Sequence, residues 1–148
     1  MIAGVFNNHT TSLQELNNRC QNTMASFLHI RFVEIHSDYL AAEMPVSPKT
    51  VQPLRMLNGG ASLALAENVG SMAANLVLDR TREVALGLEL NGNHLRPVPE
   101  GDQVLAKAFA LHIGKSTHVW EIQITNSHNQ LVFIGRLTMA VKPLQSYS

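Results

Sequence analysis

A chain of 148 residues, 45% of them hydrophobic and with charges that cancel to zero, has room for one domain with a real core and is too short for two ordinary ones. The balanced charge leaves no electrostatic case for nucleic acid or an anionic membrane surface as a partner. The single cysteine, Cys20, rules out an intrachain disulfide and a zinc site built on paired cysteines, so the cytoplasm is the default setting.

Residues 1–11 carry two asparagines and a histidine beside Phe6 and are expected to form a flexible arm ahead of a single domain over residues 12–148. They show no basic n-region and no apolar run of signal-peptide length. Ser12 followed by Glu15 predicts a capping box opening a helix from Leu13 to about Arg19, and Met24 to Leu28 predicts another helical turn. Alternation of Ile30, Phe32, Val33 and Ile35, then Tyr39, Ala41, Glu43 and Met44, predicts two strands that bend at Ser37-Asp38. Pro45, Pro48 and Pro53 make Ser47 to Met56 an extended loop, which delivers Gln52 to the mouth of the next helix. That helix, Asn58 to Leu78, is the one long apolar run of the chain. Asp79 to Glu83 follows as a charged turn. Four strand-like stretches then complete the sequence: Val84 to Leu95, Asp102 to Ile113, Thr117 to Thr125 and Leu131 to Val141. One long apolar helix followed by an antiparallel meander is an α+β pattern whose sheet must curl around the helix.

The long helix is apolar around most of its circumference, which predicts packing on nearly all sides. Its polar positions fall on one strip: Glu67, Ser71 and Asn75 follow at i, i+4, with Asn68 beside them. Interruption by these residues also argues against a membrane span. Glu67 has no basic residue among its helical neighbours, and a carboxylate packed there without a partner is costly. Two explanations compete. Glu67 either meets solvent or an arginine from elsewhere, or it is a general base or nucleophile tuned by burial, about two turns from helix N–H groups able to hold an oxyanion.

The segments Gln52-Pro53, Leu57-Asn58-Gly59-Gly60-Ala61 and Ala66-Glu67-Asn68-Val69-Gly70-Ser71 resemble the active-site region of the hotdog-fold acyl-CoA thioesterases. The likeness is to the branch of the 1,4-dihydroxy-2-naphthoyl-CoA, enterobactin-proofreading and 4-hydroxybenzoyl-CoA thioesterases, and runs from about Leu13 to Val141. It implies a hotdog fold, a curled antiparallel sheet around one helix, and hydrolysis of an aryl- or acyl-CoA ester with Glu67 as base or nucleophile. It implies that the Gly59 N–H polarises the thioester carbonyl, that Gln52 reaches toward the thioester, and that Ser71 lies near the acid and its water. The family usually has His-Gly-Gly where this chain has Asn58-Gly59-Gly60. Asn can donate a hydrogen bond there but cannot transfer a proton.

A second constellation joins His94, Leu95, Arg96 and Pro97 with His112, Gly114, Lys115 and Ser116. The residues alone read equally well as ordinary surface loops. The resemblance implies that they hold the pantetheine and nucleotide of coenzyme A, often across a subunit boundary, and that Gly87 and His94 line the substrate path. Arg96 and Lys115 suit phosphate by charge and donor geometry. The histidines lack metal-ligand spacing, no G-x-S-x-G elbow exists, and the Pro45–Pro53 loop lacks the histidine that a hydroxyacyl dehydratase would need. No metal and no cofactor beyond the CoA of the substrate are therefore expected. An isolated protomer of such a fold leaves an open sheet edge, so a homo-oligomer is expected, by resemblance a dimer of dimers. Two alternatives stay open: an acyl-CoA binding protein with little or no turnover because of Asn58, and a thioesterase acting on carrier-protein thioesters.

Overall fold

The central helix begins where Asn58 stops being helical. Its backbone is extended (φ −69°, ψ 135°) and its side-chain oxygen accepts from the Gly60 N–H, which caps α3, Gly59–Leu76. Expected from Asn58 to Leu78, the helix is thus shorter by its cap and its last two residues. Val77 closes it as the C-cap. In the computed structural model, which describes the backbone of residues 1–147 and the side chains of 1–145, the sequence folds as α1 (Leu13–Arg19), α2 (Met24–Phe27), β1 (Arg31–Ile35), β2 (Tyr39–Pro45), α3, β3 (Glu83–His94), β4 (Gln103–Ile113), β5 (Thr117–Asn126), β6 (Leu131–Pro143) and a 3₁₀ turn, Leu144–Tyr147. Ser148, the last residue of the expected domain, lies outside the described residues.

The capping box at Ser12 and Glu15 forms as the sequence dictates, with both reciprocal bonds made. The strands form a single antiparallel sheet in the order β1-β2-β4-β5-β6-β3. Alternation sets its two faces: along β5 every second residue, from His118 to Asn126, is buried. The inner rungs follow from the register. Ala42, Ala106, Ile124, Phe133 and His94 line up across five strands, and Leu40, Ala108, Ile122, Gly135 and Gly92 form the next. Alanines on β2 and β4 leave a hollow for α3, which fills it with the stripe Ser62, Leu65, Ala66, Val69, Gly70, Ala73 and Ala74. At Gly70 the approach is so close that a Cβ would lie 2.5 Å from Leu137 Cδ2. Burial of α3 is complete only on that stripe. The rest of the helix is half-buried rather than packed on nearly all sides, and Gly60 is exposed.

Bulges in β1, β3, β4 and β6 add local bend and twist, so the sheet wraps the helix as the hotdog fold requires. β1 and β3 are its edges. β3 is long and carries exposed Leu86 and Leu88 beside exposed Gly87. Residues 1–11, expected as a flexible arm, dock onto the domain. Phe6 is buried and stacks on Trp120 at 5.9 Å, the Ile2 N–H donates to the Ala110 carbonyl at 2.7 Å, and the Gly4 N–H donates to Asp38 at 2.6 Å. No described helix is long and apolar enough to cross a membrane.

Candidate active site

Two groups of site residues form around α3. The first surrounds Glu67, which is half-buried near the middle of the helix. Ser71, one turn on, donates its hydroxyl to Glu67 Oε1 at 2.9 Å, so this serine serves the acid and does not back-bond to a carbonyl. The carboxylate rests against the bare backbone of β3: a Cβ on Gly87 would lie 2.6 Å from Oε1. The ion pairs among the described residues are Arg31–Glu43 and Arg55–Glu100, and Glu67 has no cation partner among them. What fixes helix and strand here is Asn75. It donates to the Ala85 carbonyl and accepts from the Ala85 N–H, both at 3.0 Å, clamping β3 two residues before Gly87. In the sequence Asn75 is visible only as a member of the polar strip. Its clamp needs a strand ten residues away.

The second group gathers at the start of α3. A cleft of about 470 Å³, a volume suited to a small ligand, is lined by Gln52, Gly59, Ser62, His94, Leu95, Arg96 and Pro97 among others. The loop before the helix is a pinned turn. Gln52 N–H donates to the Met56 carbonyl, Leu57 N–H to Val98, and Asn58 N–H to Thr50, each at 2.8 Å. Arg55, in the left-handed region at φ 62°, bonds Glu100 through Nε at 2.6 Å. Gln52 accepts from the Leu54 N–H through Oε1, which leaves its amide nitrogen without a partner among the described residues. Arg96 is exposed and donates to the Leu131 carbonyl. Leu95 and Pro97 are exposed beside it.

His112 stands near the end of β4, and Gly114, Lys115 and Ser116 form the β4–β5 turn beside it. The Gly114 N–H donates to the Thr117 carbonyl, the Ser116 carbonyl accepts from Val141, and a Cβ on Gly114 would meet His112 Nε2 at 2.5 Å. Lys115 is exposed. This turn lies at the end of β6 where Met139 pairs with Gly87, whereas His94 pairs with Phe133 near the opposite end. At ~3.3 Å per strand residue those two positions on β6 are roughly 20 Å apart. Likewise Gly59 and Glu67 are separated by roughly 12 Å along the helix at 1.5 Å per residue. One chain therefore does not bring all the expected residues together. It presents Gln52, Asn58, Gly59 and His94 to Pro97 at one end, and Glu67, Ser71 and Gly87 toward the other, the end that also carries the turn with His112, Gly114, Lys115 and Ser116.

Among the described residues no three of His, Cys, Asp or Glu gather as a metal site. A family model for the thioesterase superfamily matches residues 54–133. The 1,4-dihydroxy-2-naphthoyl-CoA hydrolase of Escherichia coli is 42% identical over 130 residues, spanning 88% of this chain and 94% of its own. The structure of a Pseudomonas aeruginosa thioesterase carrying a glutamine-to-alanine change superimposes with a TM-score of 0.90 at 43% identity, covering 93% of this chain and 98% of that one. A Staphylococcus aureus thioesterase, solved as a glutamine-to-alanine variant, gives 0.77 at 38%, covering 81% and 98%, and its glutamate-to-alanine variant gives 0.78 at 39%, covering 82% and 99%. This chain, with its sheet curled around one helix, belongs to the thioesterase superfamily.

Proposed function

We propose that the protein hydrolyses acyl-CoA thioesters, with the Glu67 carboxylate activating water or attacking the thioester carbon directly. The observation that carries this is the setting of Glu67: half-buried, without a cation among the described residues, and held by Ser71 against a strand that has no side chain at Gly87. Such an acid is free to act on a ligand rather than spent on an ion pair. The glutamate and glutamine changed in the two Staphylococcus structures are as far apart in that chain as Gln52 and Glu67 are here, which supports the same pair of residues.

The thioester carbonyl would lie on the Gly59 N–H with Gln52 beside it. Addition of water to the carbonyl carbon breaks the C–S bond, and CoA thiolate, a good leaving group, departs without need of a triad. Because Gly59 and Glu67 lie too far apart within one chain, the complete site takes one group from each of two copies. The open edge of β3, with Gly87 and Leu88 exposed, is the surface that pairs them, since an unpaired strand of this length otherwise invites aggregation. A further pairing of dimers gives the tetramer. Arg96 at one end and Lys115 at the other then face the same nucleotide across the boundary.

An aromatic acyl group, with 1,4-dihydroxy-2-naphthoyl as the first choice, is the reading that the Escherichia coli relative supports. The pocket around Ala64, Asn68 and Met72 discriminates similar apolar groups by only ~1–3 kcal/mol. The lone buried cysteine, Cys20, is compatible with a cytoplasmic setting. The test is thiol release from a panel of aryl- and acyl-CoA esters, with the same acyl groups on a carrier protein as a second arm. Wild-type rates in Glu67→Ala would end the role of that residue. Asn58→His addresses the binding-only alternative: a large gain in turnover would mean that the natural chain is impaired.

A further inference from the structure

The start of α3 holds a donor that Asn58 does not complete. Of the first four helical amides, Gly60 donates to Asn58 Oδ1 at 2.7 Å, and Ala61 and Ser62 donate to the Asn58 carbonyl at 3.0 and 3.2 Å. The Gly59 N–H alone has no acceptor among the described residues. A carbonyl oxygen gaining negative charge accepts more than one hydrogen bond, and Asn58 is engaged as the cap.

The nearest group to Gly59 comes from β3. A Cβ built on Gly59 would lie 2.9 Å from His94 Nε2 and 3.2 Å from Cε1, so the imidazole edge lies directly over the glycine that carries the free N–H. Neither ring nitrogen of His94 has a hydrogen-bond partner among the described residues. The ring is backed by Phe133, its cross-strand partner, with centroids 5.2 Å apart. Phe133 itself is fully buried in a hollow left by two glycines: a Cβ on Gly92 would lie 2.3 Å from its ring and one on Gly135 would lie 2.8 Å away. Strand register and a buried aromatic therefore back the ring of His94, which is exposed at the end of β3 and lines the same cleft as Gly59 and Gln52.

We propose that His94 is a catalytic residue that donates from Nε2 to the thioester oxygen, alongside the Gly59 N–H. This rests on the thioesterase reading of the site. An imidazole with its proton on Nε2 donates whether the ring is neutral or charged. The proton stays on nitrogen throughout: the oxygen gains charge as water adds, loses it as the C–S bond breaks, and His94 is unchanged.

The competing role is that His94 only grips the coenzyme A arm, and a truncated substrate separates the two. His94→Phe keeps the packing against Phe133 but removes the donor, while His94→Gln keeps a donor. Each is assayed on an acyl-CoA and on the same acyl group carried by N-acetylcysteamine, which lacks the nucleotide. The expected result is a loss of about a hundredfold in kcat for His94→Phe on both substrates, the usual effect of removing one oxyanion donor. His94→Gln should recover part of that loss, with unfolding midpoints of all three proteins alike. A loss confined to the CoA ester, or no loss on either, overturns the proposal. A wild-type protein that hydrolyses neither ester overturns both this role and the thioesterase reading.

Discussion

Gly87→Ala tests the site through a residue that carries no chemistry. The added Cβ would lie 2.6 Å from Glu67 Oε1, 3.4 Å from Cδ and 3.6 Å from Oε2, where ordinary contacts begin near ~3.5 Å. The carboxylate must therefore retreat by nearly ~1 Å or swing out of its bond to Ser71. A displacement of about 1 Å costs roughly a hundredfold in rate, or ~2.7 kcal/mol of barrier. Folding should hardly notice, because Gly87 is on an extended edge strand, and replacing glycine by alanine there gains ~0.5–1 kcal/mol that offsets the crowding. The assay pairs thiol release with urea unfolding. If the alanine acts through Glu67, it should lower the rate in the wild-type background and change nothing further in Glu67→Ala, a full non-additivity. Hydrolysis by Gly87→Ala at the wild-type rate would refute the claim that the acid works from where it rests.

Phe6→Ala removes a buried ring stacked on Trp120 and should cost ~3–5 kcal/mol of stability with kcat intact. An unfolding midpoint unchanged from wild type would mean that the N-terminal segment is not docked. His118 is fully buried, with neither ring nitrogen hydrogen-bonded. Burial pushes its pKa below the ordinary histidine value of 6.5, with His112 adding to the effect and Glu83 opposing it. The folded chain thus resists a proton that the unfolded chain accepts. Its contribution is intact above pH ~6.5 and is lost as pH falls below that value, by at most ~1.4 kcal/mol per pH unit. Urea midpoints between pH 7.5 and 5 should fall less steeply in His118→Phe than in wild type, and an identical slope would remove His118 as the cause.

Local rules carry far in this chain. Ser12 and Glu15 announce their helix, and clusters drawn from proline, glycine, serine, aspartate and asparagine mark the strand joints, because caps and turns are decided within three or four residues. The Glu67–Ser71 bond is equally local, one helical turn. Even the distance from Gly59 to Glu67 follows from helical rise alone, and the proposal that two copies share a site rests on that distance. Phe6 gave no such signal, since a lone aromatic in a polar segment finds its pocket only when β5 supplies Trp120.

The amino-acid sequence by itself determined the elements, the acid and the small residues around it. Tertiary structure decided their company. Asn75 clamps Ala85, Gly87 covers Glu67 and His94 leans on Gly59 because β3 lies on β6 in one register, pairing His94 with Phe133 and Gly87 with Met139. A slip of one residue would turn each of these to the other face. That register is fixed by burial summed over the whole sheet, a quantity that no short stretch of sequence contains.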